Sequence, residues 1–267
     1  MLDMTVATLV YGAGFVAALA VTLARRLIIE RRVWRAGATL PTGKVSAYQM
    51  AMISGGASRV ALTGVVRLLG RKVLVPGIAG VLTPGGADHE PLDAVERETL
   101  AVARTPAVFP DLLARLEASL ERKGVIAQLR RDLTAMGYVR SLGSRAWWAA
   151  YARNMLPFLA FILAVLCGWA GLAMPADARS WLAALGAGAG IAMLVVALPR
   201  RVTALGRYIV WSATQHHPDL RTARAAQGEA IEIKALGQSV ALHGPDALVG
   251  SDMAWIPALL ARAESSG

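Results

Sequence analysis

Residues 154–198 read NMLPFLAFILAVLCGWAGLAMPADARSWLAALGAGAGIAMLVVAL. Two charge-free apolar runs, Asn154–Met174 and Trp181–Leu198, flank a short turn that opens at Pro175. Each run has the length expected of a helix crossing roughly 30 Å of hydrocarbon. The linking loop is short enough only for the tip of a helical hairpin. Pro157 is expected in the first turn of its helix, where a missing N–H costs little. A third apolar run, TVATLVYGAGFVAALAVTLA at Thr5–Ala24, comes earlier in the chain. Its basic residues follow it rather than precede it, and no small-residue cleavage site stands before Arg25–Arg26, so it reads as an uncleaved anchor and not a signal peptide.

Arginine bias sets the expected orientation. Arg25, Arg26, Arg31 and Arg32 follow the first run, Arg153 precedes the second, and Arg200 and Arg201 follow the third. Positive residues collect on the cytoplasmic side of a membrane. The expectation is a bacterial inner-membrane protein with its N-terminus outside and its main domain and C-terminus in the cytoplasm. Trp147, Trp148 and Trp181 fall where interfacial aromatic rings are expected. Ala164 and Gly168 in the second run, and Gly186 and Gly190 in the third, are spaced for close helix packing, either within the hairpin or between copies in a homo-oligomer. With Arg35, Arg140, Arg145 and Arg207 beside them, the flanks hold eleven arginines, more than the net charge of +10. Nucleic acid is therefore not needed to explain it.

The fold class that follows is mainly α: three transmembrane helices plus a small helical, winged-helix-like cytoplasmic domain. The divisions are 1–29 as anchor, 30–150 as the domain, 151–200 as the transmembrane hairpin and 201–267 as C-terminal helices. In the domain, a helix starts near Ser46 and stops at Gly55–Gly56, and Ser58 caps a second. Val73–Val75 and Val81–Thr83, broken by Pro76–Gly77 and Gly80, predict a short β-hairpin. A third helix is expected from Pro91, capped by Asp88 or His89. Two more cover Pro110–Glu121 and Val125–Met136, with Gly124 as a break and Gly137 as a C-cap. Helices over residues 227–242 and 253–263 are expected to fold back on the domain or the membrane surface.

Chemistry-bearing motifs are near misses. The GATLPTGKV segment at 37–45 has one residue too many for a phosphate loop and Val45 where Ser or Thr should bind magnesium. The glycines at 186, 188 and 190 lie in an apolar run and read as packing. No HExxH or GxSxG occurs. His216 and His217 lack a carboxylate at metal-ligand spacing, His89 and His243 read as capping residues, and Cys167 stands alone in an apolar run. No catalytic residue, cofactor or metal ligand is assigned. Arg59, Arg67, Arg71 and Lys72 form the candidate partner surface. The segment Lys44–Val139 has twelve Lys/Arg against nine Asp/Glu. Its second helix is mostly Ala, Val and Leu rather than the Asn, Gln and Ser that read base edges, which disfavours DNA.

The order of Ala47-Tyr48, Gly55-Gly56, Arg59-Val60-Ala61-Leu62, Pro91-Leu92 and Met136-Gly137-Tyr138-Val139, closing with Ser239-Val240-Ala241-Leu242-His243-Gly244, resembles an uncharacterised family of bacterial three-span membrane proteins. Many members of that family end in a long Gly-rich tail, which this chain lacks. The resemblance implies no activity. It implies an association with peptide modification or export, through neighbouring iron enzymes. The functional expectation is a non-enzymatic adaptor or scaffold that docks a soluble or membrane protein partner, or a peptide, at the bilayer. The alternatives are a component of a peptide modification or export system, and a membrane-tethered nucleic-acid-binding regulator.

Overall fold

The computed structural model describes residues 4–37, 45–86, 91–141, 143–171, 201–216, 233–249 and 251–265. These are mainly helical. The chain divides into one unit of residues 1–38 with 140–204, and a second of residues 39–139 with 205–267.

The second unit is built on α2 (Ala47–Gly70). Ser46 opens it with a capping box: Gln49 N–H donates to the Ser46 hydroxyl at 3.2 Å, and Ser46 N–H donates to the Gln49 side chain at 3.0 Å. The expected break at Gly55–Gly56 falls at a kink, where Gly56 leaves helical geometry. Gly56 takes φ 75, a conformation open to glycine, and the chain resumes a helical course beyond this kink. The second half of α2 is wrapped on most sides, with Val60, Ala61, Val65, Val66 and Leu68 fully buried.

A two-stranded antiparallel hairpin follows, β1 (Leu74–Pro76) and β2 (Leu82–Pro84), with Val75 opposite Thr83. The helix α3 (Ala94–Ala103) starts later than Pro91. Its cap is Asp93 and not Asp88 or His89, because Asp93 and Glu96 form a reciprocal capping box. In α4 (Phe109–Arg122), Leu112, Leu116 and Leu120 recur every four residues and are fully buried, so the core-facing stripe matches helical periodicity. Gly124, in the left-handed conformation at φ 74, turns the chain into α5 (Val125–Ala135).

The C-terminal segments complete this unit. They are α7 (Ala204–His216), α8 (Ile233–His243) and α9 (Trp255–Ser265). Tyr208, Ile209, Leu236, Val240 and Ile256 join the core around α2. Trp255 meets Phe109 edge-on at 5.5 Å. The C-terminal end of α8 is held by α2: the Ser54 hydroxyl donates to Ala241 O, and Arg59 Nη1 donates to Leu242 O at 3.2 Å. Such donors satisfy carbonyls that a helix end leaves open.

The first unit contains α1 (Met4–Gly37) and α6 (Arg145–Gly171), which contact each other. Ala18, Thr22, Ala150 and Phe158 are its buried positions among the described residues. Ser144 caps α6, its hydroxyl accepting from Trp147 N–H at 3.1 Å. The helix therefore begins well before Asn154, and Pro157 lies in its interior and not in its first turn.

The structure does not support three transmembrane helices. Among the described residues no helix is long and apolar enough to cross a membrane. α1 continues past Ala24 through Arg25, Arg26, Arg31, Arg32 and Arg35. α6 includes Arg145 and Arg153 ahead of the expected second span. The third expected span, Trp181–Leu198, lies outside the described residues. This finding overturns the multi-pass reading and the inner-membrane placement. The orientation drawn from arginine bias loses its basis with them.

Candidate docking cleft and its polar junction

Residues four apart on a helix share a face, and on α2 this brings Arg67 and Arg71 together toward the start of α3. Both reach Glu96, which is 1% exposed. Arg67 Nε lies 3.1 Å from Glu96 Oε1, and Arg71 Nη1 lies 3.1 Å from Oε2. The same carboxylate accepts from the Tyr48 hydroxyl at 3.3 Å and from Asp93 N–H at 3.1 Å. An ionised carboxylate offers about four lone-pair sites, and here three accept hydrogen bonds while Arg67 adds an ion pair. Burial without these partners would cost several kcal/mol. Burial, reinforced by the negative charge of Asp93, pushes the Tyr48 hydroxyl far above its ordinary value and keeps it a donor. The Arg67 guanidinium also lies 5.1 Å from the centre of the Tyr48 ring.

A second buried carboxylate, Glu98, bridges α3 to the end of α4. It accepts from the Ser119 hydroxyl at 2.5 Å and pairs with the Lys123 ammonium. Burial alone would raise the Glu98 carboxyl. The hydrogen bonds from Lys123 and Ser119, with the charge of Lys123, outweigh burial and hold it below the usual carboxylate value.

Between these two junctions opens a cleft of about 540 Å³. Val95, Val125, Leu129 and the Tyr48 ring provide apolar surface. Ser46 and Gln128 add polar groups, and Asp93, Lys123 and Arg131 add charge. The cleft lies where three helices start, because Ser46, Asp93 and Gly124 are the N-caps of α2, α3 and α5. The first two caps use their own side chains on their helices. Gly124 has none, so the turn into α5 leaves room beside Val125.

The four cations expected to form a partner surface are placed differently from one another. Arg67 and Arg71 belong to the Glu96 junction. Arg59 holds the end of α8. Burial lowers the Arg59 pKa from its usual value, with Asp246 acting against that shift. Lys72 is exposed at the turn into β1, with φ 58. In the first unit Arg25, Arg31, Arg32 and Arg153 are exposed, as is Arg201, whose backbone oxygen accepts from Arg140 N–H at 2.8 Å. Arg26, Ala164 and Gly168 lie in α1 and α6, but their side chains are outside the described set. Trp147 stacks on Tyr151 at 5.7 Å and meets Trp148 edge-on at 4.9 Å. Trp181, Gly186, Gly190, Arg200, His89 and His217 lie outside the described residues. His216 and His243 end α7 and α8. Among the described residues no group of His, Cys, Asp or Glu is placed to hold a metal ion.

The residues that shape the cleft were not singled out from sequence, apart from its helix boundaries. One signal was available: Ser46-x-x-Gln49 and Asp93-x-x-Glu96 both carry capping-box spacing. No family model matches the chain, and no curated protein or solved structure matches it.

Proposed function

We propose that the second unit is a non-enzymatic docking module that takes a peptide segment of a partner protein in the cleft between α2, α3 and α5. The observation that carries this reading is the cleft itself. Its volume of about 540 Å³ falls within the roughly 300–1,000 Å³ usual for ligand sites. Its apolar surface is rimmed by polar and charged groups, the arrangement by which a pocket gains both affinity and orientation. The walls are held by α2, α3 and α5, with junctions at Glu96 and Glu98 on either side. A site on braced elements binds without first having to order itself. The Glu96 carboxylate accepts hydrogen bonds from Tyr48, Arg71 and Asp93 N–H and is ion-paired with Arg67, which supports a structural role for the most buried ionic group beside the cleft.

The test is an unbiased peptide selection against the full chain, repeated with Leu129→Asp, a substitution that places a charge on the apolar surface. Selected peptides that bind the native chain and lose at least about tenfold in affinity on the variant support the reading. Peptides that bind both forms equally contradict it. Circular dichroism of the variant checks that its helices persist.

A further inference from the structure

We infer that the occupant of this cleft is an acidic peptide segment, with apolar side chains on the Val125–Leu129 surface and a carboxylate set against Arg131 and Lys123. This rests on the docking reading above and specifies its partner chemistry.

Charge complementarity points to this occupant. Among the described residues the cleft has a single carboxylate in its lining, Asp93, and that group is engaged within the fold. It accepts from Glu96 N–H at 2.9 Å and lies 3.8 Å from Arg67. The cations are more available. Lys123 pairs with Glu98, yet its side chain is 59% exposed, and an ammonium has donors beyond that one bond. Arg131 is exposed on α5 at the cleft margin. Arg67 pairs with Glu96 and Asp93, so its charge is balanced within the fold. The charge left unbalanced at the mouth is the positive one of Arg131, and a basic segment would meet repulsion there. The apolar lining from Val95, Val125 and Leu129 favours a chain with hydrophobic side chains over a bare anion. Charge complementarity of this kind selects partners and speeds encounter more than it adds affinity.

Three fluorescein-labelled dodecapeptides, sharing one leucine pattern and carrying glutamate, glutamine or lysine between the leucines, are titrated by anisotropy against the full chain. The expected order is glutamate tightest and lysine weakest, with the glutamate peptide alone weakened by added salt. Arg131→Glu, an exposed position, should weaken the glutamate peptide by about tenfold and bring the lysine peptide level with it or ahead. Equal binding of all three, lost together in Leu129→Asp, overturns the acidic occupant and leaves the docking reading standing. Binding by none overturns the inference. Displacement of the glutamate peptide by a single-stranded oligonucleotide at equal charge concentration would assign the cleft to polyanions in general, and overturns it as well.

Discussion

The two units use apolar residues in opposite ways. In the second unit they are sorted: α4 turns Leu112, Leu116 and Leu120 fully inward and leaves its charged residues outside. Among the described side chains of the first unit they are not. Leu27, Ile28 and Ile29 are consecutive on α1 and all exposed, and Leu156 and Leu159 on α6 are exposed by more than half. Successive residues on a helix point about 100° apart, so three in a row cannot share one face. A helix that is apolar on every side gives no periodic signal for which face meets a neighbour. The second unit is therefore the part in which pattern dictates packing. It is also the part in which the buried carboxylates Glu96 and Glu98 are paired.

That contrast can be broken by measuring stability. The largest effect is expected for Glu96→Gln, which leaves two guanidinium groups facing a neutral amide in a buried junction. A loss of about 3–5 kcal/mol in urea unfolding is expected. A cost near that of a surface change would mean the junction is wet and the pairing incidental. Leu116→Ala, in the fully buried α4 stripe, should cost about 2–5 kcal/mol. Arg59→Ala removes the donor to Leu242 O and should cost about 1.5–3 kcal/mol, with faster amide exchange concentrated in α8. Gly124→Ala meets no neighbour with its added Cβ, yet must hold φ 74, for a cost of about 1–2 kcal/mol. Leu27→Gln, on exposed α1, should stay within about 0.5 kcal/mol of the native chain. A Leu27→Gln cost equal to that of Leu116→Ala would erase the distinction between the units.

Acid sensitivity sharpens the same comparison. The Glu98 carboxyl is held below its ordinary value of 4.5 in the folded chain. A depressed carboxylate stabilises the fold above its unfolded pKa, and that stability is lost as pH falls through the folded value. Glu98→Gln should therefore flatten the acid limb of a stability–pH profile below about pH 4.5 and change its slope little at neutral pH. An unchanged acid limb would remove Glu98 from the account.

Local features of the second unit were legible in the sequence. Pro76–Gly77 and Gly80 mark the hairpin that forms, Ser46 marks the start of α2, and Gly124 marks the break before α5. Gly55–Gly56 marks the kink at Gly56 that parts α2 into two helical halves. One local reading failed for an identifiable reason. Asp88 and His89 looked like caps because Pro91 suits a first turn, while the reciprocal pair Asp93–Glu96 satisfies two backbone donors at once. Long-range pairing was not legible. Arg71 looked like an outward cation because its carboxylate comes 25 residues later, and Arg59 because its carbonyl partner comes 183 residues later. The three expected spans came from run length and flanking charge alone, and among the described residues no helix is long and apolar enough to cross a membrane.

The most direct test of the docking module is a photoreactive residue placed at Gln128, on the cleft, and separately at Ala114, an exposed site on α4 away from it. After crosslinking in cells that express the full chain, the captured peptides are mapped by mass spectrometry. The account predicts one defined, acidic segment captured from Gln128, absent from Ala114 and lost when Leu129→Asp is added. Equal capture from both positions, or capture from Gln128 that survives Leu129→Asp, would contradict it.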